Sequence, residues 1–183
     1  MDIKNFTDLT GVVLLGHQIP NKLLKNAVVV IVRYDRDLGT MGLCINQPLR
    51  LTLSDFDEKS WANLEDVPVF CGGPIQQKQI LVTSMEWDAQ RQQLKWQLGL
   101  NPQAASQLVL SSPKTQFKAY CGYVSWGPGE LLDELQRKFW LPVPLPSRRM
   151  FKTDNKKLWD TLMLQFYPEF ISDKNFPENP SLN

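Results

Sequence analysis

Imidazole and thiol groups, the side chains most often used for nucleophilic and metal chemistry, are few in this chain: one histidine and three cysteines. His17 is the sole imidazole, so a Ser-His-Asp or Cys-His arrangement has to use it. It stands in Gly16-His17-Gln18-Ile19-Pro20, just after an apolar run, where an ordinary turn histidine is the plainer reading. Cys44, Cys71 and Cys121 are far apart and form no C-x-x-C pair. A zinc site draws its Cys and His ligands at short spacings, so all four residues would have to converge from distant segments. No metal and no other cofactor is therefore expected. Cys71 ends an apolar stretch and precedes Gly72-Gly73-Pro74, where bare backbone lets a ligand approach closely. No Lys, Arg or His lies within four residues of it to favour a thiolate, so a buried thiol, slow towards thiol reagents, is expected. Cys44 and Cys121 sit in apolar or Gly/Tyr-rich runs and read as core.

Tyr120 to Glu130 has the pattern strand, turn, helix, with three glycines, the arrangement that holds phosphates at helix N-termini. Pro128 removes one N–H donor there, and Glu130 puts a carboxylate in the first turn. The helix is expected to cap itself and to repel an anion. Neither G-x-x-x-x-G-K-[ST] nor G-x-G-x-x-G occurs. The paired acids Asp55/Asp57/Glu58, Glu65/Asp66 and Asp133/Glu134 lie among polar residues and read as solvated faces.

Twenty Lys+Arg against nineteen Asp+Glu give a net charge of +1, which advertises neither a nucleic-acid nor a membrane partner. One segment departs from that balance. Between Ser147 and Lys157, Arg148, Arg149, Lys152, Lys156 and Lys157 face a single acid, Asp154, a local net of +4. Phe151 and Trp159 interleave with it. Five cations support at most weak, sequence-independent contact with nucleic acid, lost at cellular ionic strength, with Arg148, Arg149 and Lys152 as its carriers. The six tryptophans add candidate anchors for a protein partner.

The elements that must position these groups follow from hydrophobic periodicity. Ala27–Val32 is continuous and β-branched, a strand buried on both faces. Arg33–Gly39 reads as a hairpin loop, and Met41–Ile45 as its antiparallel return, stopped by Asn46 and Pro48. Val67–Cys71, with Pro68 at a strand start or edge, Ile80–Thr83, Leu94–Leu98 and Phe117–Val124 are further strands. Asn101-Pro102 is an N-cap followed by proline at the first helical position. Pro128 opens a second helix whose stripe is Leu131, Leu132, Leu135 and Phe139. A third helix starts near Thr153 or Asp154, buries Leu158, Trp159, Leu162, Met163 and Phe166, and stops at Pro168. Strands first and helices later, without βαβ alternation, indicate an α+β fold. The 183 residues suit one domain, 1–167, with a loosely ordered tail, 168–183. The odd cysteine count, the lack of a signal-like N-terminus and an apolar run far too short to cross a bilayer point to the cytoplasm.

Three stretches occur in order: Met41-Gly42-Leu43-Cys44-Ile45-Asn46-Gln47-Pro48, Pro68-Val69-Phe70-Cys71-Gly72-Gly73-Pro74-Ile75, and Gly122-Tyr123-Val124-Ser125-Trp126-Gly127-Pro128-Gly129-Glu130-Leu131. They closely resemble the signature stretches of the YqgE/AlgH family, and the likeness runs from about Leu9 to Phe166. The resemblance implies a split, antiparallel-rich sheet curled into a partial barrel and flanked by about three helices, in a cytosolic bacterial protein. It brings a transcriptional-regulator label but no catalytic mechanism, and nothing in the chain reads as a helix-turn-helix. Gln47 stands where the family usually has arginine, so an anion held by that arginine is not expected here.

Together these readings indicate a non-enzymatic binding or interaction protein for a small molecule or a protein, with no membrane role. Its candidate surface is Asn46, Pro48, Cys71, Gly72, Gly73, Pro74, Trp126, Gly127 and Gly129, expected to share one concave face. The alternatives are a small-molecule or thiol-dependent enzyme around Cys71-Gly72-Gly73, and weak nucleic-acid contact through Arg148–Lys157.

Overall fold

The computed structural model describes residues 8–57, 61, 63–88, 90, 93–112, 114–143 and 155–172. Its frame is a mixed sheet of nine strands curled into a half-barrel. In chain order the strands are β1 (Val13–Gly16), β2 (Val28–Asp35), β3 (Gly39–Cys44), β4 (Pro48–Thr52), β5 (Pro68–Cys71), β6 (Ile75–Asp88), β7 (Gln93–Leu98), β8 (Gln116–Trp126) and β9 (Trp140–Val143). The helices are α1 (Ser54–Asp57), α2 (Pro102–Ser111), α3 (Glu130–Gln136), α4 (Asn155–Phe166) and α5 (Glu169–Ser172). The α+β reading holds, with three longer helices and two single turns.

The sheet runs β4-β5-β8-β3-β2-β1-β9, and β6 joins β8 to β7. The long strand β8 is the joint. Its first half lies between β5 and β6 through Ala119, Tyr120 and Cys121, and its second half pairs with β3 through Val124, Ser125 and Trp126. Among the described residues, β5–β8 is the one parallel pairing.

Burial on both faces explains the continuous apolar run of β2. Val28 and Val30 enter a cluster with Val13, Leu15, Leu43 and the α4 residues Leu158, Trp159, Leu162 and Met163. Val29 and Ile31 point the other way, towards Leu14, Cys44, Trp126, Trp140 and Leu131 of α3. Each fully buried aliphatic side chain here contributes about 1.5–3 kcal/mol. The Trp159 indole donates to Gly16 O at 2.9 Å and ties α4 to β1. A third cluster joins α2 to the β5–β8–β6 region through Ala105, Val69, Val82, Ala119 and Cys121.

Several expectations hold in detail. β2 and β3 are antiparallel neighbours. The Asn101 side chain accepts from Ala104 N–H at 2.8 Å and caps α2, with Pro102 in its first turn. Others need correction. The hairpin loop is only Arg36–Leu38, because Arg33, Tyr34 and Asp35 continue β2 after an irregularity between Ile31 and Arg33. β3 does stop before Asn46, as expected, but Pro48 then opens a further strand, β4, at the sheet edge, where a missing N–H is tolerated. β6 is fourteen residues long, because pairing with β8 on one side and β7 on the other carries it through polar residues. β9 has no counterpart among the strands expected from periodicity; it pairs with β1. The short helix α5 follows α4, and its Phe170 packs against the main core. The rest of the expected tail, 173–183, lies outside the described residues.

Candidate functional site

The three signature stretches fall into two places, and β8 runs between them. At the first, Asn46 is buried and its side chain is fully engaged. Its Oδ1 accepts from Val28 N–H at 2.8 Å and from the Cys44 thiol at 3.3 Å, and its Nδ2 donates to Asn26 O at 2.9 Å. Gln47 Nε2 donates to Leu23 O at 2.8 Å. Pro48 follows as the exposed start of β4. Cys71 N–H donates to Gln47 O at 2.9 Å, and Cys44 N–H donates to Gly72 O at 2.8 Å. The structure therefore brings Asn46–Pro48 and Cys71–Pro74 together.

The space at this junction is filled by the chain's own backbone. A Cβ on Gly72 would stand 2.2 Å from Gly122 O. Gly122 has φ +72, and a Cβ there would stand 2.5 Å from Ile75 O. Glycine is needed because two main chains touch, with Pro74 then turning the chain into β6. Cys44 and Cys121 are buried, as expected, but the expectation of a buried Cys71 needs correction: it is half-buried, because it ends β5 beside the edge strand β4. Burial pushes the Cys44 thiol up to about 12, against a weaker opposing effect of its contact with Asn46. Beside it the buried Tyr120 hydroxyl has no hydrogen-bond partner among the described residues.

Trp126-Gly127-Pro128-Gly129 lies five residues further along β8 from Cys121, about 17 Å of extended chain. Trp126 is buried and reaches no solvent-facing surface. Its indole N–H donates to Glu134 Oε2 at 2.7 Å, and the Trp140 indole donates to the same oxygen, also at 2.7 Å. The two rings meet edge to face at 5.5 Å. This corrects the solvated-face reading of Asp133/Glu134, since Glu134 clamps α3 to β8 and β9. The expected self-cap is present: Glu130 Oε2 accepts from Gly127 N–H at 2.7 Å.

Beyond that cap the glycines border open volume. Gly129, the N-cap of α3, has φ +77, and a Cβ there would meet nothing within 4 Å. The volume is a cavity of about 300 Å³ lined by Tyr34, Asp35, Arg36, Thr40, Gly127, Gly129, Leu131 and Leu132. The β2–β3 hairpin gives one wall and the start of α3 the other. Asp35 is committed to the hairpin. Its Oδ1 accepts from Leu38 N–H at 2.9 Å and Asp37 N–H at 2.8 Å, and those bonds, that from Leu38 foremost, hold its carboxyl below the usual range. Tyr34, Leu131 and Leu132 supply apolar surface, Thr40 a hydroxyl and Arg36 a guanidinium. Reading Arg33–Gly39 as a loop hid this wall; the loop tip spaced by Asp35, Asp37 and Leu38 was its available signal.

His17 follows β1, its N–H donates to Phe139 O at 2.8 Å, and its ring packs against Phe170 at 4.8 Å. Among the described residues no group of three or more His, Cys, Asp or Glu side chains is placed to hold a metal. None of the described helices is long and apolar enough to cross a membrane. Arg148, Arg149 and Lys152 lie outside the described residues.

A family model described as AlgH-like, DUF179, matches residues 13–170. A UPF0301 protein of Streptomyces coelicolor is 27% identical over 188 residues, covering 97% of this chain and 96% of the relative. A UPF0301 protein of Nitrosococcus oceani is 29% identical over 143 residues, covering 73% and 75%. Among solved structures, the AlgH protein of Pseudomonas aeruginosa superposes with a TM-score of 0.66 at 18% identity, over 98% of this chain and 100% of that one. Protein DIP2367 of Corynebacterium diphtheriae gives 0.65 at 15% identity, over 92% of each. At those identities the two structures speak to the fold alone.

Proposed function

The chain belongs to the AlgH-like family, whose relatives' names state no activity, and from that premise we propose that it is a non-enzymatic binding protein. Its ligand is a small organic molecule whose apolar body is held between the β2–β3 hairpin and α3, and whose anionic end lies on the hairpin side at Arg36, away from the Glu130 carboxylate that caps α3. The observation that supports this is the cavity beside Gly127 and Gly129. About 300 Å³ falls at the lower end of the volumes that hold small ligands, and apolar walls with a few polar groups are the usual lining. The Tyr34 ring and the Leu131 and Leu132 side chains fit the apolar body, and Arg36 and Thr40 fit the anionic end. The signature stretch ending in Gly129 then serves two ends: Trp126 fixes α3, and the glycines leave room in front of it. Three free thiols support a reducing compartment, the cytoplasm.

The reading is tested by ligand-observed NMR with small aromatic and aliphatic carboxylates and phosphate esters. Leu132→Trp fills the cavity and is expected to abolish binding of the hits. Arg36→Ala is expected to weaken anionic hits several-fold, since an exposed ion pair contributes about 0.5–1 kcal/mol. Undiminished binding to Leu132→Trp places the ligand elsewhere.

A further inference from the structure

The three cysteines, distant in sequence, converge on adjacent strands: Cys44 at the end of β3, Cys71 at the end of β5 and Cys121 in β8. Cys71 and Cys121 are direct register partners in the parallel β5–β8 ladder. Gly72 N–H donates to Cys121 O at 2.8 Å, so the backbones are locked together at this position. Register partners on neighbouring strands project to the same face. The preceding pairs of this ladder show it: Val69 and Ala119 enter one core cluster, and the Phe70 and Tyr120 rings meet on the opposite face at 5.7 Å. Cys71 therefore shares the Val69/Ala119 face with Cys121. Both thiols are free, Cys71 is half-buried, and Cys121 is 7% exposed.

We propose that Cys71 and Cys121 are a modification site, closing into a reversible disulfide when the protein meets a hydroperoxide. The half-buried thiol reacts first. The Cys71 thiolate attacks one peroxide oxygen, an S–O bond forms, the O–O bond breaks, and the departing oxygen takes a proton and leaves as water or alcohol. The Cys121 sulfur then attacks the sulfenic sulfur of Cys71, giving up its thiol proton to the departing hydroxyl. The S–S bond forms, the S–O bond breaks, and the hydroxyl takes a proton and leaves as water. The two thiols lose two electrons and the peroxide gains them. The sequence around Cys71 holds no cation to hasten the first step. The second step is favoured because the resolving thiol is one strand away.

Cα atoms on neighbouring strands are about 4.8 Å apart, within the span a disulfide bridges. Parallel partners hold their Cβ atoms near that same separation, somewhat beyond the roughly 3.5–4.5 Å of a relaxed bridge. Closure therefore draws β5 and β8 together, and the resulting strain makes the bond easy to reduce. The strain falls where Gly72 packs on Gly122, at the joint between the two halves of the sheet. Cys44 is the other thiol nearby, but it is buried in a different cluster and donates to Asn46 Oδ1.

The test uses the full chain, fully reduced, exposed to hydrogen peroxide, alkylated, and digested without reductant for mass spectrometry. A linked Cys71–Cys121 peptide that disappears on treatment with dithiothreitol is expected, with Cys44 still a thiol. In Cys121→Ala the bridge is lost and Cys71 proceeds to sulfinic acid. Cys121→Ser serves the same purpose should the alanine variant fold poorly. The proposal is overturned by Cys71 reaching sulfinic acid in the wild type while Cys121 stays alkylatable, by a Cys44–Cys71 bridge, by bridges between chains only, or by a Cys71 that peroxide leaves unchanged.

Discussion

Glu134 accepts two indole N–H groups on one oxygen, from Trp126 on β8 and Trp140 on β9. Both rings are buried, so removing the carboxylate leaves two donors without an acceptor. Each orphaned donor costs about 1–3 kcal/mol, so with two of them Glu134→Ala is expected to lower stability by about 2–6 kcal/mol. Glu134→Gln keeps an acceptor oxygen and is expected to lose less than half of that. Urea unfolding midpoints of the two variants check both values. The clamp could not be read from the sequence, because its members are spaced by eight and six residues across three elements. No single helix or strand contains all three, so no one period relates them. Asn101 was readable because a cap is local: the side chain and the N–H it accepts from are three residues apart.

Among the elements, those whose burial is continuous or alternating were readable, and those defined by a partner were not. β2 announces itself through four buried β-branched residues, Val28–Ile31, and α4 through Leu158, Trp159, Leu162 and Met163. β4 consists mostly of exposed residues, and β9 contains Pro142, so only their pairing with β5 and β1 makes them strands. The glycine stretches were visible as residue types, but their division of labour was not. Gly122 packs against the backbone of another strand, whereas Gly129 faces open volume, and both have positive φ. Their alanine variants separate the two roles. Gly129→Ala meets only the left-handed penalty, about 1–2 kcal/mol. Gly122→Ala adds a collision with Ile75 O and is expected to cost about 2–4 kcal/mol, or to prevent folding. Equal losses in thermal melts would contradict this division.

For the whole molecule, a near-neutral charge hides uneven interior electrostatics. Burial raises Cys44 from 9.0 to about 12 and raises Tyr120 above its ordinary 10.0. Groups raised on folding hold more protons in the native state, so their contribution is complete below the unfolded pKa and is lost as pH rises through the folded one. For Cys44 that window runs from 9.0 to about 12. Lys118, whose Nζ lies 4.6 Å from the centre of the Phe70 ring, is shifted the other way by burial, so its contribution grows as pH approaches 10.5. Cys121 and Tyr167 are raised as well, chiefly by burial, so the losses outnumber the gain. The urea midpoint is expected to fall between about pH 8 and about pH 11, and to fall less in Cys44→Ala. An alkaline profile unchanged by that substitution would remove Cys44 as a source.

At this same scale, one long strand separates a closed joint from an open pocket, and the proposed ligand site belongs to the pocket. Backbone amide shifts on titration with an NMR-identified carboxylate test this most directly. Perturbations are predicted at Tyr34, Thr40, Gly127, Gly129, Leu131 and Leu132, with Gly72, Gly73 and Gly122 undisturbed. Shifts centred on Cys71–Gly73 and Gly122, with the hairpin and α3 silent, would contradict the account.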